Sequence, residues 1–257
     1  MNRIEKTFRD LKKKGKKAFI PYIMAGDPDL EKTKEVILTF EDVGADIVEL
    51  GVPFTDPLAD GPTIQRAAER ALRGGVTLRK VIGFVRELRQ FTHIPIVLMT
   101  YYNPVFKYGE EGLVRDAVDS GVDGLIIPDL PPDEAEGLIK LSRKAGVSTI
   151  FLLAPTSTED RIRKVARAST GFIYYVSITG ITGARLEINE SLVDSIKNIR
   201  AITDKPLCIG FGVSNPEEAS RMSDIADGVI VGSAIVKILH ESPERIEGFV
   251  RELRKAI

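Results

Sequence analysis

The sequence has very little cysteine or histidine: one and two residues, respectively, among 257. A single cysteine excludes a disulfide within the chain and a cysteine metal cluster, and we interpret Cys208 as a small buried hydrophobic residue. With only His93 and His240, neither a histidine relay nor a set of histidine metal ligands is evident. The sequence therefore predicts no metal site.

The chain also lacks an excess of charge of either sign, because it contains 36 Lys and Arg residues and 37 Asp and Glu residues. Nothing in this balance recruits nucleic acid or an anionic lipid surface. The lysines between Lys12 and Lys17 form the one basic run. We interpret them as the solvated face of an amphipathic first helix.

No apolar stretch approaches the roughly 20 residues that are needed to span a membrane. The first residues also lack the basic-then-apolar layout of a signal peptide. We therefore expect a cytoplasmic protein that binds neither membranes nor nucleic acid.

Hydrophobic residues make up 43% of the chain and aromatic residues only 7%, so a large aliphatic core is expected. Short apolar runs alternate with amphipathic stretches. The runs are Ala18–Met24, Asp46–Leu50, Pro95–Tyr101, Gly124–Ile127, Val147–Leu153, Phe172–Val176, Pro206–Ile209 and Gly228–Val231. This pattern predicts a single α/β domain over residues 1–257, a (β/α)8 TIM barrel.

We expect extra short helices at the N-terminus, after the second strand and after the eighth. A doubly wound open sheet is the alternative fold, although no G-x-G-x-x-G follows the first run. A degenerate repeat precedes three of the runs: Gly44-Ala45-Asp46, Gly121-Val122-Asp123 and Ala226-Asp227-Gly228. Glycine at such a joint suits the end of a helix.

Glu49 is a charged residue within an apolar run, just before the C-terminal end of the second predicted strand. In a barrel of this kind that end carries the chemistry. Burial of a carboxylate is costly and raises its pKa toward the range that serves acid–base catalysis. A salt-bridged structural glutamate is the alternative.

The loop that follows, Pro53–Pro62, is rich in proline and acidic residues. Asp56 and Asp60 are candidates for a second carboxylate at the mouth of the barrel, although Asp60 also suits the N-cap of the next helix. Asp129 is a further candidate site residue, although helix capping or hydrogen bonding within its loop explains it equally well. A Schiff-base aldolase is disfavoured, because no lysine lies within the C-terminal half of a predicted strand and Lys107 lies in the predicted loop after the third.

Glycine-bearing turns follow the last three predicted strands. They are Gly180–Gly183, Gly210–Ser214 and Gly232–Ala234. Glycine permits close approach of the backbone to a phosphate, and a helix beginning near Ser233 directs its N–H groups at the anion. Because barrels bind phosphate at these positions, the three turns together predict a phosphorylated ligand.

The residues that carry these predictions resemble the tryptophan synthase alpha chain family. The matching segments are Pro21-Tyr22, Ala25–Pro28, Glu49–Phe54, Asp56–Gln65, Tyr101, Asn103–Phe106, Pro128–Pro131, Ser177, Gly180–Gly183, Gly210–Gly212 and Gly232–Ala234. The resemblance spans nearly the whole chain, and the block between residues 49 and 65 is highly specific.

The resemblance implies a lyase that cleaves indole-3-glycerol phosphate to indole and glyceraldehyde 3-phosphate in tryptophan biosynthesis. It implies that Glu49 is the acid–base group, that Asp60 accepts a hydrogen bond from the ring N–H, and that Tyr174 lies beside Glu49. Tyr175 should face the other way. The substrate-binding residues that it implies are Tyr22, Ile64, Met99, Thr182, Gly183, Phe211, Gly212, Gly232 and Ser233.

The family also implies an α2β2 complex in which indole passes to a beta chain. Pyridoxal phosphate is expected in that partner and no cofactor in this chain. The expected docking residues are Pro53, Asp56, Pro57, Asn103, Pro104, Phe106 and Pro131, with Thr182 and Gly183 in a loop that closes over substrate and meets Asp60. A stand-alone lyase, a phosphosugar isomerase and a non-catalytic regulatory subunit are the alternatives.

Overall fold

The computed structural model describes residues 2–176, 190–210 and 212–257. Its strands are Ala18–Met24 (β1), Val48–Gly51 (β2), Ile96–Met99 (β3), Gly124–Ile126 (β4), Ser148–Ile150 (β5), Leu152–Leu153 (β6), Ile173–Val176 (β7), Leu207–Gly210 (β8) and Gly228–Val231 (β9). Its helices are Arg3–Lys13 (α1), Leu30–Asp42 (α2), Pro62–Arg73 (α3), Leu78–Leu88 (α4), Tyr102–Tyr108 (α5), Glu110–Ser120 (α6), Glu136–Ala145 (α7), Glu159–Ala168 (α8), Glu190–Ile202 (α9), Pro216–Ile225 (α10), Ser233–Glu241 (α11) and Ile246–Ala256 (α12), with a 3-10 turn at Pro243–Arg245.

All of these strands pair in parallel, in the order β5-β4-β3-β2-β1-β9-β8-β7-β6. The fifth predicted run is divided at Phe151 into β5, which pairs with β4, and β6, which pairs with β7. The Ser148 N–H donates to the Asp123 carbonyl at 2.8 Å, and the Phe151 carbonyl accepts the Tyr174 N–H at 3.1 Å. One continuous segment therefore bonds to both neighbours and closes the ring, which confirms the predicted TIM barrel.

The predicted extra helices are present as α1, the α3–α4 pair after β2, and the α11–α12 pair after β9. The prediction of a loop around Lys107 was wrong, because this residue lies in α5. Pro104 is in the first turn of α5, where its missing N–H leaves no helical bond unmade. The Asp129 carboxylate accepts the Tyr102 N–H at 2.9 Å, as the capping interpretation of Asp129 predicted.

Helix α1 covers the end of the barrel at which the strands begin. Its residues Ile4, Phe8 and Leu11 are buried, whereas its lysines face solvent, as predicted. A Cβ atom would lie 3.0 Å from the Ile4 side chain at Gly124 and 3.1 Å from it at Gly171. Glycine at these two positions therefore leaves space for Ile4. The helix therefore seals the N-terminal end and leaves the opposite end for a ligand.

Three aspartates from the sequence repeat, Asp46, Asp123 and Asp227, join neighbouring strands at this sealed end. Each aspartate makes two hydrogen bonds to one residue of the preceding strand. Its backbone N–H donates to the carbonyl of that residue, and its carboxylate accepts the N–H of that residue. The residues so joined are Phe19 with Asp46, Ile96 with Asp123 and Leu207 with Asp227. Arginine neutralises each carboxylate: Arg254 at Asp46, Arg89 and Arg3 at Asp123, and Arg200 at Asp227.

Within the described ranges, no helix combines the length and apolar character that crossing a membrane requires. The buried hydrophobic residues of the barrel and its helices form one connected core. Cys208 is buried within this core, as predicted.

Candidate active site

Glu49 lies inside the barrel near the C-terminal end of β2, in register with Tyr22 of β1 and Val97 of β3. Its side chain is 1% exposed, and its Oε2 atom has no hydrogen-bond partner among the described residues. Burial, and then the charge of Asp60, raise the pKa of Glu49 to about 8. Glu49 is therefore a carboxyl group that holds its proton at neutral pH, which suits a general acid, and it is not one half of a salt bridge.

Asp60 lies in the loop between β2 and α3, close enough for its charge to act on Glu49. The N-cap of α3 is Gly61, so Asp60 is not the N-cap that was its alternative role. Burial raises the pKa of Asp60 to about 6, while a hydrogen bond from the Tyr101 hydroxyl lowers it. At neutral pH the two carboxyls therefore differ, with a proton on Glu49 and a negative charge on Asp60.

Two tyrosines lie beside these carboxyls, and each has its hydroxyl over a glycine of the neighbouring strand. A Cβ atom on Gly51 would be 2.2 Å from the Tyr22 hydroxyl, and one on Gly210 would be 2.2 Å from the Tyr174 hydroxyl. Burial raises the pKa of both tyrosines, and the charge of Glu49 raises each further. Only glycine leaves space for these hydroxyls, so Gly51 and Gly210 allow Tyr22 and Tyr174 to occupy these positions in the site.

The predicted indole-contacting residues lie at the same end of the barrel. Met99 of β3 is the register partner of Gly51, over which the Tyr22 hydroxyl lies. Ile64 is buried on the first turn of α3, four residues after Asp60. These apolar groups share the C-terminal end of the barrel with the carboxyls, an arrangement that suits an apolar ring with one polar edge.

The described residues of the predicted phosphate group, Gly212, Gly232 and Ser233, follow β8 and β9 at the C-terminal ends of these strands. A Cβ atom on Gly232, the N-cap of α11, would lie 3.5 Å from Tyr22, so this helix begins directly beside the tyrosine. Ser233 is exposed, and Gly212 adopts a φ of 86°, which favours glycine. The other predicted residues of this group, Thr182, Gly183 and Phe211, lie outside the described residues, as do Ser177, Gly180 and Ile181.

Most of the predicted docking residues are accessible on the rim of the same end. Asp56, Asn103 and Phe106 are exposed, while Pro57, Pro104 and Pro131 are partly so. Pro53, by contrast, is buried within the chain and has little surface to offer. Leu58, which was not singled out from the sequence, is 92% exposed, and Phe106 is 70% exposed.

Tyr101 was not predicted as a site residue beyond its place in the family resemblance. It is buried at the mouth, and its hydroxyl accepts the Ala59 N–H at 3.0 Å. Its position at the end of the third apolar run was the available signal, since strand ends carry site residues in this fold.

Comparisons with known proteins identify the family of the chain. The sequence profile of the family described as "Tryptophan synthase alpha chain" matches residues 8–256. The tryptophan synthase alpha chain of Geotalea uraniireducens is 52% identical over 262 residues, covering 100% of this chain and 98% of that protein. That of Geobacter sulfurreducens is 49% identical over 262 residues, covering 100% and 99%.

Solved structures give the same result. The crystal structure of tryptophan synthase subunit alpha from Legionella pneumophila has a TM-score of 0.93 at 38% identity, covering 100% of this chain and 98% of that chain. A chain in the structure of Mycobacterium tuberculosis tryptophan synthase also has a TM-score of 0.93 at 38% identity, with the same coverage. The chain belongs to the tryptophan synthase alpha chain family.

Proposed function

We propose that this chain is a lyase that cleaves indole-3-glycerol phosphate to indole and glyceraldehyde 3-phosphate, the alpha reaction of tryptophan biosynthesis. The observation that carries the proposal is the pair of unlike carboxyls at the barrel mouth. Glu49 is buried and protonated at neutral pH, and Asp60 beside it is ionised. Family membership supplies the substrate, and this pair supplies the chemistry.

The reaction breaks the bond between the indole ring carbon and the glycerol carbon that carries a hydroxyl. Glu49 first gives its proton to the ring carbon, and the ring nitrogen becomes positively charged. The resulting carboxylate then takes the proton of the hydroxyl, and the carbon–carbon bond electrons return to the ring. The products are indole and an aldehyde, and Glu49 regains its proton.

Asp60 stabilises the intermediate electrostatically. Its carboxylate accepts a hydrogen bond from the ring N–H, and the attraction strengthens as the ring becomes positive. Because the site is buried, this interaction is less screened than it would be in water. Tyr174 lies beside Glu49 and restricts where its carboxyl group can move.

The surroundings match the two ends of the substrate. Tyr22, Ile64 and Met99 offer an apolar slot for the ring, and the Gly232–Ser233 turn offers backbone N–H groups and a hydroxyl for the phosphate. All steps use side-chain groups of this chain, and we place pyridoxal phosphate in a beta chain rather than here.

We further propose that the exposed rim binds that beta chain in an α2β2 complex, to which indole is delivered, and that the protein works in the cytoplasm. Leu58 and Phe106 are the large apolar side chains of this rim. Large exposed apolar groups near a rim are typical of protein interfaces.

The test is the release of indole from indole-3-glycerol phosphate by the wild type and by Glu49→Gln, each with and without a beta chain. We expect the variant to bind substrate but to turn it over about 10²- to 10⁴-fold more slowly, since it has no proton to transfer. Asp129→Asn is a matched control, because it alters another carboxylate at the same end. Near-normal turnover by Glu49→Gln refutes the mechanism, and turnover that no beta chain changes favours a stand-alone lyase.

A further inference from the structure

Tyr101 connects both ends of the loop that carries Asp60. Its ring stacks on Phe54, just after β2, with centroids 5.3 Å apart and planes inclined by 30°. Its hydroxyl accepts the N–H of Ala59, at the far end of the loop, at 3.0 Å. One buried side chain from the segment after β3 therefore fixes the loop after β2.

The Tyr101 hydroxyl also has a proton to donate. A phenol accepts through its lone pairs and donates one O–H, so the bond from the Ala59 amide leaves the proton available. The neighbouring acceptor is the Asp60 carboxylate, and this hydrogen bond opposes the effect of burial on the pKa of Asp60. The hydroxyl thus bridges an amide and a carboxylate on adjacent residues.

The backbone of Asp60 is held by different groups. Its N–H donates to the Pro57 carbonyl at 3.0 Å, and its carbonyl accepts the Gln65 side-chain amide at 2.8 Å. The loop and α3 therefore position the main chain, and Tyr101 contacts the side chain. This division allows the hydroxyl to be removed while the backbone bonds of Asp60 remain.

We propose that Tyr101 is a positioning residue for Asp60, whose carboxylate it holds at the barrel mouth beside Glu49 by bridging it to the Ala59 N–H. The inference rests on the proposed function, because this position matters for turnover only if Asp60 receives the indole N–H. Without the hydroxyl, the carboxylate loses its donor and is free to rotate. Burial then acts unopposed, and a smaller fraction of Asp60 is ionised at neutral pH.

Tyr101→Phe tests this, since it removes the hydroxyl and keeps the ring that stacks on Phe54. We expect kcat at pH 7 to fall about 10- to 100-fold, the effect of losing a hydrogen bond to a charged group, with KM changed much less. The acid limb of the pH–rate profile, which we expect near pH 6 in the wild type, should move to higher pH in the variant. A purely structural role would lower activity without moving that limb.

Tyr102→Phe is the matched control. The neighbouring Tyr102 hydroxyl bonds to Glu110 at 3.2 Å rather than to Asp60. The same chemical change there should leave the acid limb in place. In an Asp60→Asn background, Tyr101→Phe should cost little further activity, because the two groups act as one unit.

Two measurements need no substrate. The ¹³C resonance of the Asp60 carboxyl, assigned with Asp60→Asn, should titrate near pH 6 in the wild type and at higher pH in Tyr101→Phe. The Ala59 amide should also exchange with solvent faster in the variant. The wild type alone gives a third readout, because the phenol ¹³C shift of Tyr101, unlike that of Tyr102, should follow the ionisation of Asp60.

These readouts separate the two proposals. If the Asp60 titration and Ala59 exchange respond as expected but the wild type releases no indole, the proposed function fails and the positioning role stands. If the wild type is active and Tyr101→Phe leaves the acid limb, the Asp60 titration and the Ala59 exchange unchanged, the inference is overturned. An unresponsive Tyr101 phenol shift in the wild type has the same meaning, even if the variant does not fold.

Discussion

At the sealed end of the barrel, Asp46, Asp123 and Asp227 each have an arginine partner, whereas Glu49 and Asp60 at the open end have none among the described residues. A carboxylate–arginine pair does occur at the open end. Asp27, in the loop after β1, accepts two hydrogen bonds of 2.7 Å from Arg70 of α3. Glu49, which transfers the proton in the proposed reaction, is thus a carboxyl group without a cation beside it among the described residues. The carboxylates that pair with arginine hold the barrel strands together. The carboxyls without a cationic partner can gain or lose a proton near neutral pH.

The largest effect on stability is expected for Asp123→Ala. The Asp123 side chain is 4% exposed, bonds to Arg89 at 2.8 Å and Arg3 at 2.9 Å, and accepts the Ile96 N–H. Its removal leaves a largely buried guanidinium without its anion, which costs about 3–5 kcal/mol of unfolding free energy. Chemical denaturation measures this loss. Loss of catalysis in the folded variant, rather than of stability, would contradict the division between the two ends.

Asp46→Ala and Asp227→Ala sharpen the same comparison. The Asp46 and Asp227 side chains are 18% and 37% exposed, so their ion pairs are progressively more solvated. Both carboxylates also accept a backbone N–H. We expect losses of about 2 and about 1 kcal/mol, respectively. Denaturation midpoints that do not follow the order of burial would show that the arginine partners are not the main cause.

At the open end, Glu49→Gln should change stability in the opposite direction. The pKa of Glu49 is raised from 4.5 in the unfolded chain to about 8 in the folded protein. The wild type therefore loses stability as pH rises through this window, because the unfolded chain ionises first. Glutamine does not titrate, so the variant should be more stable than the wild type by about 4 kcal/mol at pH 8, with the difference shrinking toward pH 4.

Glu218→Gln is the control for that measurement. Glu218 is also buried, but its carboxylate accepts the Ser214 N–H and hydroxyl at 2.7 and 2.8 Å. Its replacement should destabilise the protein, because it weakens bonds that a carboxylate makes better than an amide. If Glu49→Gln and Glu218→Gln change the unfolding free energy in the same direction across pH 4 to 8, the lack of a partner for the Glu49 carboxyl does not explain its effect on stability.

The smallest effect is expected for Ser233→Ala at the rim. Ser233 is exposed at the start of α11, so its hydroxyl has little part in the core. We expect KM to rise a few-fold through a lost phosphate contact, with unfolding free energy within about 0.5 kcal/mol of the wild type. Ser242→Ala, at the other end of the same helix, should leave KM unchanged, and an equal rise there would remove Ser233 from the phosphate site.

Local pattern was sufficient to predict the barrel, because each parallel strand is an apolar run that is buried on both faces. The division at Phe151 was not predictable, since it depends on which neighbours pair with each half of one run. Helix α5, which contains Lys107, was missed, although its Pro104 is compatible with a first helical turn. The aspartate repeat was visible, but Arg254 lies 208 residues from Asp46 in the chain.

The candidate site also contains residues that the sequence revealed and residues that only the structure revealed. Glu49 was identifiable because a charge in an apolar strand is costly without a function. Asp60 could not be separated from a helix N-cap until the structure placed Gly61 there. Tyr101 was missed because the sequence does not reveal how the loop folds back on it, 42 residues from Ala59.

The protonated state of Glu49 is tested most directly by a ¹³C NMR titration of the glutamate carboxyl groups in the folded chain, with Glu49 assigned by comparison with Glu49→Gln. We expect one resonance that titrates near pH 8 in the wild type and is absent from the variant. A spectrum in which every glutamate, including Glu49, titrates below about pH 5 would contradict it, because Glu49 would then carry no proton to donate at neutral pH.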